Sequence, residues 1–157
     1  RQIQRGIAFD MIYKAFKFDV TRVVNFYMVG LDNDHHITTH NVPKSEDART
    51  SLTKYDSSFF SLLANFYGKL ASTKVESGGT LMDETVTVAT GNNSVSQARG
   101  PHNGSEIPVL VAGGGFTNHG GHVIRKGETT CDIYLSILQK FGIQRERFGN
   151  SQKIIEL

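Results

Sequence analysis

Thr21-Arg22-Val23-Val24-Asn25-Phe26-Tyr27-Met28-Val29-Gly30 is the run on which the fold of this 157-residue chain turns. β-Branched and aromatic residues fill it and Gly30 closes it, a composition that favours a buried strand. Upstream, Ile3, Ile7, Met11, Ile12 and Ala15 recur at helical spacing, with Lys14 and Lys17 placed for a polar face, so a helix is predicted over 3–18. Downstream, the cap-like Ser45-Glu46-Asp47 is followed by Leu52, Tyr55, Phe59, Leu62, Leu63, Phe66 and Leu70 at helical intervals, which predicts a long helix over 45–73.

Ser77-Gly78-Gly79 breaks that pattern, and Thr85 to Ala89 reads as a second strand, ending at Gly91. A polar loop follows from Gly91 to Glu106. Ile107 to Ala112 reads as a third strand, closed by Gly113-Gly114-Gly115, and the Gly- and His-rich stretch to Gly127 reads as an irregular excursion or short hairpin. Helical periodicity returns from Thr129 to Phe141 through Ile133, Ile137 and Leu138, with Gly142 as C-cap. Strands alternating with helices predict an α/β fold: a mainly parallel sheet with flanking helices, forming a single domain over 1–157. In such a fold polar ligands and catalytic groups collect at the C-terminal edge of the strands. That edge would hold every histidine. His35, His36 and His40 follow the first strand, His102 the second, and His119 and His122 the third.

The composition is that of a chain able to bury a core: 38% hydrophobic, 20% charged, with ten Phe and five Tyr. Seventeen basic and fifteen acidic residues are scattered without a block of one sign, so neither nucleic acid nor an anionic lipid surface is an expected partner. The longest apolar runs fall far short of the ~20 residues that a membrane helix needs. Cys131 is the only cysteine, which excludes an intrachain disulfide and any multi-thiolate zinc site. The chain opens at Arg1 with no signal-like apolar region, and is expected to be mature, trimmed or the C-terminal portion of something longer.

Chemistry concentrates in Asp32-Asn33-Asp34-His35-His36-Ile37-Thr38-Thr39-His40. Carboxylate mixed with imidazole is the ligand set that zinc and other borderline divalent metals prefer. His36 and His40 would share one face of a helix, but Ile37-Thr38-Thr39 is β-branched throughout and Pro43 follows, so a shaped loop is predicted here. The competing reading is a scaffold in which these histidines cap strand and helix ends by hydrogen bonding. His102, in Gly100-Pro101-His102-Asn103-Gly104, is either a solvated turn residue or a further ligand. Asp83, just before the second strand, reads as a local cap. Gly113-Gly114-Gly115 lacks the lysine and hydroxyl of a P-loop, and no G-x-G-x-x-G occurs, which argues against a nucleotide site. Among nucleophiles, Thr39 lies beside His40, Ser94 and Ser96 share a loop with His102, and Cys131 reads as a small core residue. No G-x-S-x-G elbow is present, which disfavours a serine hydrolase.

Seven short motifs, in order, resemble the HXXSHH-domain proteins, a family of exported bacterial proteins of unknown function found in planctomycetes and related groups. They are Phe18-Asp19-Val20-Thr21-Arg22-Val23, His35-His36-Ile37-Thr38-Thr39-His40-Asn41, Leu81-Met82-Asp83-Glu84-Thr85, Pro101-His102-Asn103, Ile107-Pro108-Val109-Leu110-Val111-Ala112-Gly113, Ile133-Tyr134-Leu135-Ser136-Ile137-Leu138 and Phe148-Gly149-Asn150-Ser151. Two departures fall in the naming motif, with Thr39 at the usual serine and Asn41 at the second histidine of the closing pair. Thr39 keeps a hydroxyl, whereas the amide of Asn41 is a poor ligand for a borderline metal. The chain is more distantly similar to the C-terminal half of the alkaline phosphatase and sulfatase superfamily, through Asp32-x-x-x-His36, Asp83-Glu84-Thr85-Val86 and His102 followed by Ile107-Pro108-Val109-Leu110. That superfamily's Asp-His pair after the second strand has no match, since Gly91-Asn92-Asn93 stands there.

The resemblance implies a secreted or periplasmic protein with a hydrolase-like, metal-dependent activity on phosphate or sulfate esters. Asp32, His36, His40 and His102 would hold zinc or another divalent metal, and Thr39 and His35 would act as catalytic residues that orient the substrate. The alternative is a non-catalytic binding or cell-surface structural module with a degenerate site, taking a small-molecule or glycan ligand at the same edge.

Overall fold

The computed structural model describes residues 2–27, 33–42, 44–91, 94–96, 100–115, 123–151 and 153–157, with the backbone alone at 2–3, 33–34, 94–96 and 100–103. In these residues the elements run α1 (Gln2–Lys17), α2 (Asn33–Asn41), α3 (Glu46–Ser72), β1 (Val86–Thr90), β2 (Ser94–Ser96), β3 (Gly100–Asn103), β4 (Val109–Gly113) and α4 (Thr130–Lys140). They fall into two compact units, Arg1–Met82 with Asn92–Ile107, and Asp83–Gly91 with Pro108–Leu157.

The first unit is organised by α3, about 40 Å long at 1.5 Å per residue. Ser45 caps it in extended conformation, its hydroxyl accepting from the Ala48 amide at 3.2 Å. Glu46 and Asp47 follow in the first turn and Lys69 lies in the last, the charge order that the helix dipole favours. Leu63, Phe66 and Leu70, spaced three and four apart, form its buried stripe. Phe9 of α1 packs on Phe66 with ring centroids 5.4 Å apart, and the Tyr13 hydroxyl meets that of Thr73 at 2.8 Å. A Cβ on Gly6 would lie 3.8 Å from Leu62, and Lys69 pairs with Asp10. These contacts advance along both helices together, from 6 opposite 62 to 13 opposite 73, so α1 and α3 run in the same direction. Parallel neighbours need a crossover, and residues 18–45 provide it. They include α2, which packs on α3 around Tyr55 and Asp56, beyond the stretch that α1 covers.

After α3 the chain doubles back in a tight turn. Lys74 bridges Thr80, Gly78 and Gly79 take positive φ, and the amides of Leu81 and Met82 return to the carbonyls of Thr73 and Leu70. Leu81 is thereby buried. The β2–β3 hairpin completes the unit, with Ser94 opposite Asn103 and Ser96 opposite Gly100 around an irregular register.

In the second unit β1 and β4 form an antiparallel pair, Val86 opposite Gly113 through Thr90 opposite Val109. α4 has a reciprocal cap: the Thr129 hydroxyl accepts from the Asp132 amide at 3.3 Å, while the Asp132 carboxylate accepts from the Thr129 amide at 2.7 Å and its hydroxyl at 3.0 Å. Its far end closes with Gly142 at φ 75, where the Gly142 amide bonds Gln139 and the Ile143 amide bonds Leu138. The C-terminal tail then lies along α4. Ser136 receives the Ile155 amide at 2.8 Å, Phe148 stacks on Tyr134, and fully buried Ser151 accepts from the Phe148 amide at 2.7 Å. Gly149 passes so close to Cys131 that a Cβ there would lie 2.9 Å from its sulfur.

The expectation of a mainly parallel α/β sheet is overturned. Among the described residues the strands form two antiparallel pairs, each two-stranded, beside four helices. The segment 91–108 between β1 and β4 explains part of this. A parallel return needs a crossover, usually helical; among the described residues of this stretch the β2–β3 hairpin is the regular structure, and the return is antiparallel. The expected first strand fails differently. Residues 21–27 have no ladder partner in the described structure, and Val23 and Tyr27 are 83% and 72% exposed. Strand propensity describes fit to a pleated, half-buried surface, and among the described residues 21–27 join no sheet; Phe26 docks edge-on against Phe9. Residues 28–30 of that run lie outside the described structure. Three helices stand where the sequence places them, at 2–17, 46–72 and 130–140, as do β1 and β4.

Candidate functional site

The stretch expected to be a loop, 33–41, is helical. β-Branched residues cost only a few tenths of a kcal/mol each in a helix, and in the sequence Pro43 falls two positions past Asn41, outside the helix. Two side chains tie to the helix's own carbonyls. The Thr39 hydroxyl donates to the His36 carbonyl at 2.6 Å, and the Asn41 amide donates to the Ile37 carbonyl at 3.0 Å. α3 supplies the packing that a nine-residue helix cannot provide for itself.

Helical geometry then sorts the histidines. His35 turns to α3, its Nε2 lying 3.5 Å from an Asp56 carboxylate oxygen and its ring edge-on to Tyr55. This is a long, half-exposed contact that orients the imidazole more than it stabilises the fold. His36 and His40 stand one turn apart with ring centroids 4.8 Å from each other and planes at 75°. At 100° per residue their directions diverge by about 100° and 140° from that of His35. His36 and its neighbour Ile37 are exposed, and His40 is half-buried.

The pair suits a chelate. Two imidazole nitrogens bound tetrahedrally to zinc at about 2.0–2.1 Å sit about 3.3 Å apart, a separation that rings 4.8 Å apart reach by rotation about their side-chain torsions. Among the described residues no third histidine, cysteine or carboxylate gathers with them. Of the remaining expected ligands, Asp32 lies outside the described residues, and His102 stands on β3, where only the backbone is described. His119 and His122, with Asn92 and Asn93, also lie outside them. The structure therefore brings His36 and His40 together and directs His35 elsewhere. Thr39 has committed its proton to a backbone carbonyl, so the hydroxyl can act as a nucleophile only after releasing that bond.

Elsewhere, Asp83 occupies the turn that leads into β1, next to the strand as a local cap would be. Cys131 is partly buried in the first turn of α4. Arg22 grips Asp19 through two parallel hydrogen bonds of 3.0 and 2.9 Å, which hold the Asp19 carboxyl below its ordinary range. Both residues lie in the Phe18 to Val23 motif, but nothing in the sequence marks them as an ion pair outside a predicted helix. No helix among the described residues is long and apolar enough to cross a membrane.

Comparison of the chain with known protein families, curated proteins and solved structures finds no match.

Proposed function

We propose that this chain binds a divalent metal, zinc or a similar borderline ion, at α2 through His36 and His40. One observation carries the reading: two imidazoles a helical turn apart on α2, with ring centroids 4.8 Å from each other. The resemblance to the exported HXXSHH-domain proteins supports it, because the pair falls inside that family's naming motif. Asp32 and His102 are the further ligands that this reading names.

The finer proposal is hydrolysis of phosphate or sulfate esters at that metal. When bound, the ion would polarise an ester oxygen and lower the pKa of coordinated water. His35, oriented by Asp56, would position substrate from the neighbouring face, and the Thr39 hydroxyl would hydrogen-bond it after leaving the His36 carbonyl. A second reading, a non-catalytic exported module that binds a small molecule or glycan, is favoured by a separate observation: Thr39 and Asn41, at the two departures from the family motif, both bond to the helix backbone.

Isothermal titration of the chain with zinc tests the main proposal. Saturable binding that is lost in His36→Ala and in His40→Ala, with helicity unchanged, is the expected result; zinc binding that survives both substitutions would rule the site out. Turnover of p-nitrophenyl phosphate or sulfate by the zinc-loaded chain, abolished by His40→Ala, selects hydrolysis. Zinc binding without turnover selects the binding module.

A further inference from the structure

We infer that Asn103 is a site of spontaneous covalent modification, where the Gly104 main-chain nitrogen displaces the side-chain amide and a carboxylate takes its place. The inference is independent of the metal-binding reading above. Among the chain's asparagines only Asn103 precedes a glycine. The reaction needs the main-chain nitrogen of the next residue to reach the side-chain carbonyl carbon, and a side chain on that next residue obstructs the approach. Glycine carries none and has the freest backbone. Gly104 is exposed and lies in a bend, just past the last residue of β3. A Cβ there would meet nothing within 4 Å.

Other asparagines are guarded by the fold, which binds the nitrogen that would attack. The Val42 amide, after Asn41, donates to the Thr38 carbonyl at 3.1 Å, and the Ser151 amide, after Asn150, donates to the Phe148 carbonyl at 2.9 Å. Ser151 is also fully buried. Asn65 and the buried Phe66 both lie inside α3. At Asn103 the ladder holds one side of the linkage, through the pairing with Ser94, and the chain leaves the strand at the next residue. In the reaction the Gly104 nitrogen gives its proton to solvent base and bonds to the side-chain carbonyl carbon. The bond from that carbon to the NH2 group breaks, and ammonia leaves. Water then opens the five-membered imide at one of its two carbonyls. One opening gives aspartate, and the other gives isoaspartate, which adds a methylene to the main chain where β3 ends. Either product lowers the formal net charge of +2 by one and sets a carboxylate next to His102 in the sequence.

Ageing the full chain in warm, mildly alkaline buffer, followed over time by peptide mass spectrometry and cation exchange, tests this directly. The expected result is exchange of NH2 for OH at Asn103 ahead of Asn41, Asn65 and Asn150, together with a protein peak that elutes earlier. The peptide that carries residue 103 should also become a substrate for an isoaspartate-specific methyltransferase. Gly104→Ala should slow the reaction by about tenfold, since a Cβ at 104 obstructs the approach. Asn103→Gln should remove the early-eluting peak. In urea Asn41 and Asn150 should react faster as their guarding hydrogen bonds are lost, and Asn103 should gain least. Modification of Asn150 before Asn103 would overturn the inference, and so would an unchanged rate in Gly104→Ala. A rate at Asn103 that rises in urea as steeply as that at Asn150 would overturn it too, because the folded bend would then guard Asn103 as well.

Discussion

α2 and α4 are both short helices, of nine and eleven residues, and they are held in opposite ways. α4 is fixed at each end by its own sequence, through the Thr129–Asp132 box and Gly142, and along one side by Leu135, Ser136 and the returning tail. α2 ties Thr39 and Asn41 to its own carbonyls, docks on α3 through His35, and leaves His36 and Ile37 exposed. A helix whose side chains are spent on caps and core has few left for chemistry. One held by a neighbour depends on that neighbour for its place, and α2 is that kind.

The largest effect expected from this contrast is at Leu135, 1% exposed in α4. Leu135→Ala should cost about 3 kcal/mol in urea unfolding, and a loss under 1 kcal/mol would mean that α4 is not the centre of its unit. Gly149→Ala comes next. Its Cβ would lie 2.9 Å from the Cys131 sulfur at a φ of 55°, so a loss of about 2 kcal/mol is expected, partly restored by adding Cys131→Ala. If the double variant is no more stable than Gly149→Ala, the close approach is not what matters.

A smaller effect separates two helix ends. α1 and α4 close with the same pair of backbone hydrogen bonds, Asp19 to Phe16 with Val20 to Ala15, and Gly142 to Gln139 with Ile143 to Leu138. The residue in left-handed conformation is aspartate in one, at φ 49, and glycine in the other, at φ 75. Gly142→Ala should therefore destabilise by about 1 kcal/mol, while Asp19→Gly should be neutral or stabilising. By contrast, His36→Ala, at an exposed position of α2, should lower the unfolding free energy by less than about 1 kcal/mol. A larger loss would make His36 scaffold.

The smallest effect concerns pH. Arg22 lowers the Asp19 carboxyl from its ordinary 3.8, first by hydrogen bonding and then by charge. A depressed acid stabilises the fold above its unfolded-state pKa and loses that contribution as pH falls through the folded value. The window is therefore below pH 3.8, and the exposure of both side chains with salt screening makes it slight. Carboxyl NMR titration should place Asp19 below the ordinary value in the parent and return it there in Arg22→Ala; an unchanged titration would mean that the pair does not persist in solution.

The sequence by itself determined the elements whose signals are local. Ser45-Glu46-Asp47 and Thr129-x-x-Asp132 mark helix starts, Leu63, Phe66 and Leu70 mark a helix face, Gly142 marks a stop, and β1 and β4 read as short β-branched runs between glycines. It also proposed a candidate site over Asp32 to His40, with His102 as a further ligand. Tertiary structure decided how the strands pair, that 21–27 finds no sheet to join, and that His36 and His40 stand on one helix face while His35 turns to α3. The reason is physical. Caps and periodicity act within a few residues, whereas strand direction, the fate of a β-prone run and the conformation of a β-branched, polar stretch depend on which surface the rest of the chain brings to it. In α2 that surface is α3, and it turns a stretch that reads as a loop into a helix with two imidazoles one turn apart.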